Sequence, residues 1–242
     1  MNKRVIILII SSWVIGIIVI GFLVYKLTHI KPEVKTITKI VENKVIKKVP
    51  VYIDSNSSLV GITKDDLKDY LYSHYNFLSN KSKMRIYDAI LKYSKKYNIS
   101  PIILFAVLHT ESSMRFWIKH SRVYVSVPIN QSKTRFVKIH TRAIGLGGVI
   151  WEMWKWDLIK AKIATTKSDL YNIDTNVEAT AFILKTLREK PILKGVKTPM
   201  ESAIIRYYGV IPKNPTYYLD KVNNFIGNLL SIKLYLNDVK GK

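Results

Sequence analysis

Glu111 is the residue of this chain best placed to do chemistry. It closes an apolar run, Ile102-Ile103-Leu104-Phe105-Ala106-Val107-Leu108-His109-Thr110-Glu111-Ser112-Ser113. Leu104, Val107 and Leu108 precede it by seven, four and three positions, offsets that share one face of a helix. The spacing therefore predicts a carboxyl group on an apolar stripe, facing a core or a cleft. The position also falls near the expected C-terminus of the helix, where the macrodipole disfavours negative charge. Burial disfavours the ionised form as well. Both effects raise the pKa, and a carboxylic acid still protonated near neutral pH can act as a general acid. Taken alone, the residue has a competing reading: a solvated glutamate turned outward from the helix end.

A second carboxylate is missing from the segment that follows. Between Glu111 and Glu152 there is no Asp or Glu, while Arg115, Lys119, Arg122, Lys133, Arg135, Lys138 and Arg142 all fall there. A two-carboxylate glycosidase needs a second acid as nucleophile or as base for water. Glu152 or Glu178 could supply one from elsewhere, but the pattern favours chemistry run by one carboxyl group. His109, His120 and His140 lack metal-ligand spacing. No metal and no cofactor are expected.

The elements that must position Glu111 are mostly helical. Thr63-Lys64-Asp65-Asp66 reads as a helix start leading to Leu67, Tyr70 and Leu71. Asn80 is a candidate cap for a helix carrying Met84, Ile86, Ile90 and Leu91. Ser100 and Pro101 open the Glu111 helix as N-cap and first-turn residue. Further helices are expected near Val149–Ala161, Asn176–Arg188, Pro199–Tyr207 and Pro215–Leu236. Strand-like sequence is confined to Val123–Val127 and Phe136–Ile139, flanking Asn130-Gln131-Ser132, which predicts one hairpin or small lobe. The fold class is mainly α with a small β-hairpin lobe, over residues 63–242.

The chain has 242 residues, no cysteine and a formal net charge of +22. The missing thiols exclude disulfides, thiolate metal sites and a cysteine nucleophile. The charge suits nucleic acid, anionic lipid or an acidic wall polymer, and a composition rich in Lys, Ile, Asn and Tyr accounts for it equally well. Val5 to Tyr25 is uncharged and apolar. At about 1.5 Å per residue it spans roughly 31 Å, a bilayer core. It exceeds the usual signal-peptide core, and no small-x-small cleavage site follows. Residues 1–25 are read as an uncleaved signal anchor, with a cleaved signal peptide as the second option. Residues 26–62 are read as a stalk or linker; an extended segment pairing with a partner chain is the other reading. Lys26, Lys31, Lys35 and Lys39 outnumber Lys3 and Arg4, which by charge alone would keep the C-terminus in the cytoplasm, but long domains translocate despite such charges. Function, not the flanking charge, places the domain on the periplasmic or extracytoplasmic side of the cytoplasmic membrane.

Five segments in order carry a resemblance. Ala106 to Ser113 resembles the catalytic helix of the soluble-lytic-transglycosylase family, with its Glu-Ser pair. Ala143-Ile144-Gly145-Leu146-Gly147-Gly148 is similar to that family's Ala-x-Gly-Leu-Met-Gln motif. Asn176-Val177-Glu178-Ala179 resembles its Asn motif, Tyr207-Tyr208-Gly209 its Tyr-Asn-x-Gly, and Tyr218-Leu219-Asp220-Lys221-Val222 its Tyr-Val-x-Lys-Val. Order and approximate spacing hold from about Asn80 to Phe225. Gly147, Gly148 and Tyr208 depart from the pattern, replacing Met, Gln and Asn, and the interval from Glu111 to Gly145 is longer than is typical.

The resemblance implies a lysozyme-like fold and cleavage of the MurNAc–GlcNAc bond of peptidoglycan, with Glu111 as acid and then base in forming a 1,6-anhydro ring. It implies substrate-binding roles for Ser112, Gly145, Leu146, Asn176, Tyr207 and Tyr218. Each has a structural alternative: backbone bonding for Ser112, a turn for the glycines, capping for Asn176 and core packing for the tyrosines. The expected partners are glycan strands, the membrane through the N-terminal helix, and an envelope assembly. Nucleic acid is the weakest candidate, because no base-reading motif accompanies the charge. A lysozyme-type hydrolase and a non-catalytic wall-binding or scaffolding protein remain the competing functions.

Overall fold

The computed structural model describes residues 62–208 and 216–240. The expected anchor, and the stalk up to residue 61, lie outside the described residues, as does Gly209. No helix among the described residues is long and apolar enough to cross a membrane.

Seven α-helices and one two-stranded sheet make up the described chain. In order these are α1 (Lys64–His74), α2 (Asn80–Tyr97), α3 (Pro101–Ser112), β1 (Lys119–Pro128), β2 (Phe136–Ile144), α4 (Trp151–Lys160), a 3₁₀ turn (Lys167–Tyr171), α5 (Ile173–Arg188), α6 (Pro199–Tyr207) and α7 (Tyr217–Lys240). The chain is therefore mainly α with a hairpin, as the periodicity predicts. Several ends differ. Thr63 closes a capping box with Asp66, but α2 is capped by Ser79, with Asn80 as its first helical residue. Ser100 precedes α3 without a side-chain capping bond. β2 continues past Ile139 to Ile144 and β1 begins at Lys119. The ladder carries charged residues that local propensity alone would leave out, because strand preference depends on cross-strand partners.

α3 forms the centre. Every side chain from Ile102 to Leu108 is buried, so the helix is covered on all sides and not along the single stripe its spacing predicts. A helix that is apolar all round belongs in a core. It contacts α2, α5 and α7. Phe105 stacks on Phe225 of α7, with ring centroids 5.8 Å apart. α5 presents Val177, Thr180, Ala181 and Leu184 to this core and packs between α2 and α6. Ion pairs hold the outer faces together: Arg85 with Asp174 joins α2 to α5 at 2.5 Å, and Lys233 with Asp66 joins α7 to α1 at 2.7 Å. Such exposed pairs each contribute little, about 0–1 kcal/mol. Burial around α3 carries the stability.

Phe105→Ala should lower the unfolding free energy by about 3–5 kcal/mol, through lost burial and the cavity left behind. Guanidinium denaturation would read this as an earlier midpoint at unchanged slope. A loss under about 1 kcal/mol would contradict a core centred on α3.

Candidate active site

The last turn of α3 places Glu111, and the chain then reverses sharply. Ser113 and Met114 both take left-handed backbone, at φ 50° and 64°, a conformation that costs a residue with a side chain roughly 1–2 kcal/mol. Met114 is completely buried, and that anchorage offsets the strain. The turn leads into β1. β2 returns to the loop Gly145–Gly148, which lies against Glu111.

That loop comes close because it lacks side chains. Gly148 sits at φ 60°, and a Cβ there would stand 2.5 Å from Glu111 Oε2. A Cβ on Gly147 would overlap Thr180 Oγ1 and approach the Tyr207 hydroxyl, and one on Gly145 would overlap the Asn176 amide. The two glycines in the Met-Gln positions are thus required by this packing. They press the main chain onto the acid and its supports instead of lining an open groove.

A polar network fixes the loop. Asn176 Oδ1 accepts from the Gly147 N–H at 2.8 Å. Its Nδ2 donates to the carbonyls of Ile144 at 3.0 Å and Leu170 at 2.7 Å. The Tyr207 hydroxyl donates to the Gly147 carbonyl at 2.6 Å. Buried polar groups must find partners, and these partners are loop backbone. Asn176 is therefore not a helix cap. Asn172 caps α5, accepting from the Asp174 N–H, and Asn176 lies within the first turn, facing inward.

Glu111 remains partly exposed, but its carboxyl is enclosed by protein. Desolvation pushes its pKa up to about 7. The rise is opposed by the Tyr218 hydroxyl, which donates to Glu111 Oε1 at 2.5 Å, and by the positive charge of Lys221. Tyr218 is itself held above the usual phenol range, chiefly by burial and then by the adjacent carboxylate, so it stays a donor. Tyr208 stacks on it, with centroids 5.0 Å apart, and remains exposed beside the acid's partner. Among the described residues no second carboxylate perturbs Glu111. Glu152 is engaged by Lys167 and Thr141, and Glu178 by Lys96 and Tyr97.

The structure gathers Glu111, Gly145, Asn176, Tyr207 and Tyr218 into one site, but changes what most of the expected binding residues do. Ser112 is buried and its hydroxyl donates to the Leu108 carbonyl at 3.0 Å, as a serine late in a helix commonly does. Leu146 has no exposed surface and pins the loop to the core, so its side chain cannot line a groove. Asn176 and Tyr218 are also buried; they hold the loop and the acid. Tyr207 is half-buried, with its hydroxyl committed to the loop. Thr180, Lys221 and Tyr208 were not singled out as site residues. Each had a signal: Thr180 lies four positions after Asn176 on the same helix face, and Tyr208 and Lys221 fall within the motifs that carry the resemblance.

Two outcomes follow from this geometry. A carboxyl pKa raised in the folded state means that, between about pH 4.5 and 7, the native chain binds more protons than the unfolded one. Stability then falls as pH rises through that window. Glu111→Gln should remove the fall and raise stability at pH 8 by on the order of 2–3 kcal/mol, with little effect at pH 4; denaturation at the two pH values checks it. Gly148→Ala should cost about 1–3 kcal/mol, because its left-handed backbone and its contact with the acid both penalise a methyl group. A variant of undiminished stability, with an unchanged Glu111 titration, would contradict the close approach. The chain matches no protein-family model, no curated protein and no solved structure, so the meaning of the site rests on its own geometry.

Proposed function

We propose that this chain is a membrane-anchored lytic transglycosylase that cleaves the MurNAc–GlcNAc bond of peptidoglycan, with a lysozyme-like domain outside the cytoplasmic membrane. The observation that carries the reading is one enclosed carboxyl group, balanced near neutral pH and oriented by Tyr218, with no second acid beside it among the described residues. Its resemblance to the family's ordered motifs supports the substrate.

The chemistry needs one proton carrier. Protonated Glu111 gives its proton to the glycosidic oxygen as the bond to the MurNAc anomeric carbon breaks. The resulting carboxylate takes the proton of the MurNAc C6 hydroxyl, whose oxygen bonds to that carbon and closes the 1,6-anhydro ring. Glu111 ends protonated, as it began. A pKa near 7 suits both halves, because acid and base forms are both accessible at that pH. Tyr218 and Lys221 favour the carboxylate formed between the two transfers. The Gly148 backbone packs against one side of the carboxyl group.

The test is mass spectrometry of purified sacculi treated with the chain. Anhydro-ended fragments are expected, and Glu111→Gln should reduce their release by about 10²–10⁴-fold. The rate should fall as pH rises above about 7, where the acid form is lost. Reducing ends in place of anhydro ends would identify a hydrolase. Binding to sacculi without bond cleavage would identify a scaffolding role.

A further inference from the structure

The hairpin carries a surface that the acid chemistry does not use. β1 and β2 pair antiparallel, with Arg122 opposite Arg142, Tyr124 opposite His140, Val125 opposite Ile139 and Ser126 opposite Lys138. Alternation sorts these rungs onto two faces. Val125, Val127 and Thr141 are buried, and Thr141 Oγ1 donates to Glu152 of α4 at 2.7 Å. That face is covered at these three residues, while Val123 and Val137 on it keep exposed surface. The other carries Arg122, Arg142, Lys138, Tyr124 and His140, all exposed. Tyr124 is 76% exposed, and its ring stacks flat on His140, with centroids 4.3 Å apart and planes 6° from parallel.

The charges on this face are uncompensated. Among the described residues, none of Arg122, Arg142 and Lys138 has a carboxylate partner. Two arginines directly opposite each other repel and weaken the sheet. An anion laid across the rung would turn that repulsion into two attractions. Lys133 in the hairpin turn does have a partner, Asp157 of α4, at 2.6 Å. This bond ties the tip down, so the ribbon lies along α4 with its basic face outward.

The hairpin is joined through the chain to the loop at the acid. β2 runs directly into the loop that touches Glu111, and the Gly145 N–H donates to the Ile118 carbonyl, just before β1, at 3.2 Å. Both strands are therefore stitched to the catalytic loop. The Arg122–Arg142 rung comes first from that end, then Tyr124–His140, then Lys138. At about 3.4 Å per residue, the track from Arg142 to Phe136 is roughly 20 Å long.

We propose that this face is a substrate track, which binds the carboxylates of the peptide side chains of the glycan strand being cleaved at Glu111. The proposal rests on the peptidoglycan reading above. Its ligand is an acidic, peptide-bearing glycan; the arginines take carboxylates through paired N–H donors, and the Tyr124 ring supports the apolar part of the peptide. Single-stranded nucleic acid fits less well. Such ligands use successive aromatic platforms, whereas here the two rings stack on each other and form one.

The test uses the full chain in detergent micelles on two substrates: intact sacculi, and sacculi stripped of peptides by an amidase. The chain should show a KM roughly fivefold lower for the peptide-bearing strands, the size expected of two exposed charge pairs, and the preference should shrink with added salt. Arg122→Gln/Arg142→Gln should abolish the preference, and Arg122→Lys/Arg142→Lys should keep only part of it, because lysine retains the charge without the paired donors. Thermal melting controls for folding, and the glutamine variant should be no less stable, since a like-charge pair is removed. Equal KM for the two substrates in the unaltered chain, or an undiminished preference in the glutamine variant, would overturn the proposal. Displacement from sacculi by an oligothymidylate, at matched anion concentration, would assign the face to nucleic acid instead. If the unaltered chain cleaves neither substrate, the peptidoglycan reading itself fails, and this result is distinct from cleavage without preference.

Discussion

The structure depends on the enclosure of one carboxyl group where the central helix meets a glycine loop. A charge in such a place is costly, and burial acts to keep Glu111 a neutral acid. The Tyr218 hydroxyl and the Lys221 ammonium restore access to the charged form. Desolvation outweighs them, and the pKa settles at about 7. The carboxyl can thus lose and regain a proton at small cost, which is what a group serving as acid and then base requires.

The balance holds only if the loop stays in place, and much of the surrounding polar chemistry serves that purpose. Asn176 bonds the loop at Gly147 and the end of β2 at Ile144, and ties both to the 3₁₀ turn. Tyr207 bonds it from α6. These buried hydrogen bonds fix a backbone whose glycines would otherwise sample many conformations. Residues that resemble ligand contacts in the family's motifs act here from behind, on the loop and on the acid. Tyr208 and Lys221 are exposed beside the acid and its partner Tyr218.

The hairpin shows the opposite economy. Its inner face packs in part against α4, but its outer face concentrates positive charge at a cost to the sheet. An unpaired arginine rung does nothing for a free domain, and it sits three residues along β2 from the loop that touches Glu111.

Much of this was legible in the sequence. Capping at Thr63, the first-turn Pro101 and the apolar run before Glu111 announced the helices. The alternation around Asn130-Gln131-Ser132 announced the hairpin, and the same run marked Glu111 as a carboxyl with a raised pKa. These are local matters of period, cap and turn, set by neighbours along the chain. What Asn176, Leu146, Ser112 and the glycines do was decided only by tertiary structure. Asn176 could cap a helix or brace a loop, and Leu146 could line a groove or fill a core, because each choice depends on contacts with residues far away in sequence. The resting pKa of Glu111 belongs to the same class: burial raises it, and Tyr218 and Lys221, more than a hundred residues downstream, hold it back.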